Sequence, residues 1–232
     1  MSVCLSLRGV RMNARGQFQL LSFNAGFVDT TGFLGLQGLF LAHITGNFVT
    51  LAATLVMGTH GVIAKILVLP EFMLVVALGR LGVLRMKARG RPVLRVVLSG
   101  MLCALLVFFT LAVIFGPFPD SDAPLALLTA FAGIIAMAMQ NAVQRVHFAN
   151  MPPTTLMTGN ITQAILDADA LLWGLERIDA SAVRARLAKT LQGIVSFACG
   201  CAAAAFLYYW FGFWCLAVPV AVGAAAAILT EN

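Results

Sequence analysis

The sequence predicts an all-α polytopic membrane protein, with about six transmembrane helices and two shorter re-entrant helices set in two inverted-topology repeats. Three observations predict it. Of 232 residues, 61% are hydrophobic and 10% charged, whereas soluble domains carry roughly 25% charged residues. The apolar residues fall in runs of about 18 or more, long enough to cross a hydrocarbon core about 30 Å thick. The triplet Thr45-Gly46-Asn47 recurs as Thr158-Gly159-Asn160.

The chain opens with Met1 to Gly16, which carries Arg8, Arg11 and Arg15. It lacks an apolar run followed by a small-residue cleavage site, so a cleaved signal peptide is not expected. We read residues 1–16 as a cytoplasmic segment and 17–232 as one membrane domain, with repeat one at 17–116 and repeat two at 123–230. The apolar segments run Gln17 to Gly38, Phe40 to Gly58, Ile66 to Leu84, Val93 to Phe115, Leu125 to Phe148, Leu156 to Gly174, Leu187 to Phe211 and Phe213 to Leu229.

Charge decides which segments cross, because cytoplasmic flanks collect Lys and Arg. The N-terminal arginines and the cluster Arg85, Lys87, Arg89, Arg91 and Arg95 bracket three apolar segments. An even number of crossings must separate two cytoplasmic flanks, so one of the three fails to cross. Gly116 to Pro124 contains Asp120 and Asp122 and no base, as an external loop does, and the next basic cluster is Arg177, Arg184, Arg186 and Lys189. Two segments intervene there, so one more crossing is missing. The uncharged aromatic connector Tyr208 to Trp214 suits an external interface,. Six crossings with both termini cytoplasmic satisfy all of these constraints.

The repeat indicates which segments fail to cross. Asn24-Ala-Gly-Phe-Val-Asp29-Thr30 aligns with Ala136-Met-Ala-Met-Gln-Asn141-Ala142, pairing Asp29 with Asn141. Downstream, Gly79 pairs with Gly200 and Gly90 with Gly212. With three crossings per half, the second half enters from the opposite side. Inverted repeats are a common plan for transporters, whose sites lie near the midplane between the halves.

The candidate site follows from the paired signatures. Gly46 and Gly159 supply backbone freedom where a re-entrant segment reverses, and Thr45 and Thr158 are fit to cap the helices that follow. Two half-helix N-termini facing the interior attract anions or polar solutes. Asn47 and Asn160 each donate and accept hydrogen bonds. The competing reading is a helix-start and close-packing motif, which explains the glycines but not the paired asparagines.

Asp29 falls inside the first apolar segment, where a carboxylate faces the bundle interior or a wet cavity and is a candidate proton carrier. Its structural alternative is a pair with Arg80 or Arg145. His43 precedes the first signature by two residues, and its counterpart by that alignment is Leu156. It is equally fit for a structural role and for a gating or proton-relay one. His60 and His147 sit near segment ends and read as interfacial. Glu71 and Arg80 are too far apart for a helical i,i+4 pair and read as snorkelling to opposite interfaces. Pro152 and Pro153 break the helix before the second signature. Asn160-Ile161-Thr162 matches the glycosylation pattern by chance, given its intramembrane position.

Several function classes are disfavoured. No zinc ligand set, phosphate-binding loop, dinucleotide fingerprint or serine nucleophile elbow occurs, so an enzyme, a metal and a cofactor are not expected. Cys199 and Cys201 have no other Cys or His close in sequence. The net charge of +6 reads as membrane orientation rather than nucleic-acid binding,. The expected partners are the lipid bilayer and a small solute or ion. Glycine-rich stretches such as Gly79-Arg-Leu-Gly82 suit contacts between copies in a homo-oligomer.

Phe23-Asn-Ala-Gly-Phe-Val-Asp29-Thr-Thr-Gly-Phe33, His43-Ile-Thr-Gly-Asn47, Met139-Gln-Asn141-Ala and Thr158-Gly159-Asn160 together resemble the YoaK family of bacterial inner-membrane proteins, a domain of unknown function. The resemblance covers Phe18 to Leu229 and implies a six-helix protein of the bacterial inner (cytoplasmic) membrane. It supplies no substrate. One departure is Ala138, where the family pattern leads one to expect glycine. The residues themselves lead to a small-solute or ion transporter or channel, with a non-transporting scaffold or accessory subunit as the alternative.

Overall fold

A computed structural model describes residues 12–174 and 179–229. Its elements are α1 (Ala14–Gly35), α2 (Gly46–Met57), α3 (Val62–Ala88), α4 (Val93–Phe115), α5 (Pro124–His147), α6 (Met157–Trp173), α7 (Ala180–Phe211), a short 3-10 turn (Gly212–Leu216) and α8 (Ala217–Ile228). Arg8, Arg11 and Arg177 lie outside the described residues.

Among the described residues, four stretches are long and apolar enough to cross a membrane: α3, α4, α5 and the continuous run Ala180–Ile228 that holds α7 and α8. Leu74, Leu78, Leu81 and Leu84 of α3 and Leu106, Val107 and Ile114 of α4 are exposed, as surfaces that meet lipid are. The 22-residue α1 is long enough but too polar to join them. Its polar residues Gln17, Ser22, Asn24, Asp29 and Thr31 are all buried. These polar groups of α1 are therefore covered by protein, and they lower its mean hydropathy although they are buried.

Polar and small residues set how α1 is held. Asn24 donates to Gln140 Oε1 on α5 at 2.8 Å, and Gln140 donates back to the Leu21 carbonyl at 2.7 Å. Against α7, α1 comes into backbone contact at two glycines. A Cβ on Gly26 would run into the Phe197 carbonyl oxygen, and one on Gly200 into that of Phe23. Gly79, which the sequence pairs with Gly200, instead has open space where its Cβ would stand. α3 rests on α5, and α4 packs against α5 and α8.

One end of the bundle is tied together by side chains from two connections and from the first turn of α3. Lys65 donates to the Gln37 carbonyl at 2.9 Å, Ser121 Oγ meets Gln37 Oε1 at 3.1 Å, and Gln37 Nε2 donates to the Pro119 carbonyl. Asp122 accepts from the backbone N–H groups of Gly61 and Ala64 at the start of α3. The end of α1, the start of α3 and the α4–α5 connection therefore share one level. At the opposite end, Arg15 of α1 donates to Gln192 of α7 at 2.6 Å.

Candidate functional site

After α1 the chain reverses through Gln37 and Gly38, both at positive φ. It then runs back beside α1 until Leu41, Ala42 and His43 reach Asp29. Asp29 Oδ1 accepts their three backbone N–H groups at 2.8, 2.7 and 3.3 Å, and Oδ2 lies 2.8 Å from His43 Nδ1. α2 then starts beside the middle of the bundle and returns to the end where α3 begins. After α5 the chain does the same in the second half. Gln144 Nε2 donates to the carbonyls of Phe148 and Pro152, Thr155 donates to Asn141 Oδ1 at 2.8 Å, and α6 returns toward the start of α7.

The two reversals share their spacing. Asp29 meets a residue fourteen positions on, His43, and Asn141 meets one fourteen positions on, Thr155. Asn47 and Asn160 each bond a residue seven positions back. Asn47 exchanges two hydrogen bonds with the Phe40 backbone at 2.9 and 2.8 Å, while Asn160 donates one to the Pro153 carbonyl at 2.8 Å. Proline has no N–H to return the second bond.

The same chemistry explains why one half has Asp and the other Asn. The first reversal has three free N–H groups aimed at one point, and an anionic acceptor suits them. The second contains Pro152 and Pro153, which offer only carbonyls, and donors from Gln144 and Asn160 meet them. At 141 an amide does what a carboxylate cannot: it accepts from Thr155 and also donates to the Met137 carbonyl.

Several expectations about individual residues change. The structural partner proposed for Asp29, Arg80 or Arg145, is replaced by His43 and three backbone N–H groups, which already use both oxygens. The residue that plays the part of His43 in the second half is Thr155, one before the aligned Leu156. Thr45 stands at the N-cap of α2 but makes no side-chain cap bond. Thr158 lies inside α6, whose N-cap is Leu156. Gly46 is required by proximity, since a Cβ there would lie 2.9 Å from the Phe40 ring, whereas Gly159 has open space. Asn47 and Asn160 are buried with their amides bonded to backbone.

A cavity of about 350 Å³ lies between the two reversals. Ala42, His43 and Thr45 line it from the first and Thr155 and Leu156 from the second. α3 supplies Phe72, Val76, Arg80 and Val83, and α5 supplies Asn141, Ala142, Arg145 and Val146. His43 also borders a second cavity of about 410 Å³, on the α1–α7 side, with Asp29, Phe197 and Cys201. Its ring meets that of Phe197 edge-on at 5.5 Å. Gly159 and Asn160 line a separate, larger cavity beside α7, with Arg186 and Lys189.

Thus His43, Thr45 and Asn141 share one cavity, Asp29 and Gly46 border another with His43, and Asn160 stands apart. Sequence reading missed Thr155 and did not place Arg80 and Arg145 on a common wall. A search for hydrogen-bonding residues fourteen positions after each of Asp29 and Asn141 finds Thr155. No sequence signal brings the two arginines together, because they come from helices in different halves.

The family model for DUF1275, a protein of unknown function, matches residues 17–229, and the chain belongs to that family. The resemblance read from the sequence fits this match. No curated protein and no solved structure matches the chain.

Proposed function

We propose that this member of DUF1275 is a small-solute or ion transporter or channel of the bacterial inner membrane, passive or ion-coupled, with its path between two inverted repeats. In this reading α1, α3 and α4 cross in the first half and α5, α7 and α8 in the second. α2 and α6 are re-entrant, both termini are cytoplasmic, and Asp120 is external. The single observation that carries the proposal is the cavity bounded by both chain reversals and by one long helix from each half. Non-helical backbone at membrane depth is tolerated where it lines a cavity or is covered by protein. The matching fourteen- and seven-residue spacings support a duplicated origin for the two reversals.

A second reading, a membrane scaffold or accessory subunit, is favoured by one observation: the signature asparagines are bonded to backbone. It makes the motif a brace for the reversals. Flux in proteoliposomes, across small neutral and charged solutes and inorganic ions, separates the readings. The transport reading expects at least one solute to move with the parent and to stop with Ala142→Phe, which fills the cavity from α5. Folded protein that moves nothing, or Ala142→Phe that moves solute like the parent, overturns it.

A further inference from the structure

We propose that the cavity between the reversals takes a small organic anion, with Arg80 and Arg145 binding its charged head and the apolar wall its body. The inference rests on reading this cavity as the solute site. Arg80 on α3 and Arg145 in the last turn of α5 line the same cavity, and neither has an ion pair or hydrogen bond among the described residues. No carboxylate is among the lining residues. Asp29, the acid bonded to the cavity-lining His43, has both oxygens engaged by backbone N–H groups and by His43.

The remaining polar lining adds hydrogen-bonding groups: His43, Thr45, Asn141 and Thr155. The starts of α2 and α6 border the cavity through Thr45 and Leu156, with the positive ends of both helix dipoles toward it,. Two guanidinium groups without counter-ions on one cavity wall favour an anion over a neutral solute and disfavour cations. Both arginines are exposed, so the cavity is open where they stand and a charged head meets them first. Phe72, Val76, Val83 and Val146 make the rest of the wall apolar. A cavity of about 350 Å³ is at the small end of ligand sites. A short-chain or aromatic carboxylate matches that charge, size and polarity.

The test reads binding, so that it stands apart from flux. The purified full chain, in nanodiscs of zwitterionic phosphatidylcholine, is titrated with butyrate and benzoate and with the neutral butyramide and benzamide, following the thermal unfolding midpoint. Both carboxylates are expected to raise the midpoint in a saturable way and the amides to leave it unchanged. Arg80→Gln and Arg145→Gln, each tested singly, are expected to keep the ligand-free midpoint and weaken binding by roughly ten- to hundredfold. Arg85→Gln, in the basic stretch outside the cavity, is expected to bind like the parent. Equal shifts with the amides, or arginine variants that bind like the parent, overturn the proposal. An arginine-dependent shift on adding phosphatidylglycerol, with none from the carboxylates, overturns the soluble anion and assigns the arginines to a lipid headgroup. Carboxylate binding without flux of any solute overturns the transport reading and leaves the anion site standing.

Discussion

The Asp29 carboxylate lies 2.8 Å from His43 Nδ1, and its other oxygen gathers the N–H groups of Leu41, Ala42 and His43. One side chain on a helix thereby fixes the path of a ten-residue reversal, residues 36–45. Hydrogen bonds to a charged group contribute about 1.5–3 kcal/mol each, and neighbours sharing one acceptor do not add fully. Asp29→Asn keeps the shape and removes the charge: Oδ1 meets the three backbone N–H groups as a weaker, neutral acceptor, and an NH₂ replaces the oxygen that faces His43 Nδ1. We expect it to lower unfolding stability by about 2–4 kcal/mol, and Asn141→Ala, which loses two neutral bonds, to Thr155 and to the Met137 carbonyl, by about 1–2 kcal/mol. Chemical denaturation in mixed micelles measures both. Equal costs would contradict the role given to the carboxylate.

The two signature asparagines give a second, graded comparison. Asn47 satisfies both the N–H and the carbonyl of Phe40, while Asn160 satisfies one carbonyl, that of Pro153. At about 1 kcal/mol per neutral hydrogen bond, Asn47→Ala is expected to cost about twice as much as Asn160→Ala. A larger cost at Asn160, in the same denaturation measurement, would mean that its amide holds more than the Pro153 carbonyl and the weak contact with Met157 Sδ.

Helix contact predicts a sharper contrast among glycines. Gly26 and Gly200 face backbone carbonyl oxygens across the α1–α7 crossing, and a Cβ at either cannot fit without separating the helices. Gly26→Ala and Gly200→Ala are expected to abolish or sharply reduce the yield of monodisperse protein in size-exclusion chromatography. Gly79→Ala, into open space, is expected to elute like the parent. A normal profile for Gly200→Ala would show that α1 and α7 stand further apart than described.

Helix positions were legible because hydropathy reports them. α4 spans Val93–Phe115, the segment read from the sequence, and α2 and α6 begin within a residue or two of the Thr-Gly-Asn triplets. The buried state of α1 was legible only in part. Asp29 was expected to face the interior, but the sheath of α5 and α7 around Asn24 and Gly26 depends on contacts more than a hundred residues away. The site was less legible still. Asp29, His43 and Asn141 stood out as polar residues in apolar runs, yet their hydrogen bonds depend on how the backbone reverses. Pro152 and Pro153 signalled a break without revealing that the carbonyls left behind draw Gln144 and Asn160. Arg80 and Arg145 read as alternative partners for Asp29, and only tertiary packing brings them to one cavity.

Whether the chain reverses twice within the membrane around a wet cavity is read out by thiol accessibility in open membrane fragments. Single cysteines are placed at Thr45 and Leu156, one on each reversal and both lining the cavity, in a chain whose five natural cysteines are replaced by alanine or serine. A water-soluble thiol reagent reacts with the thiolate, which forms where water reaches. Both positions are predicted to label in open membrane fragments, and Ala142→Phe is predicted to slow both. Failure of both to label, while a cysteine at Asp120 labels readily, would contradict the account and make the interior a dry, packed core.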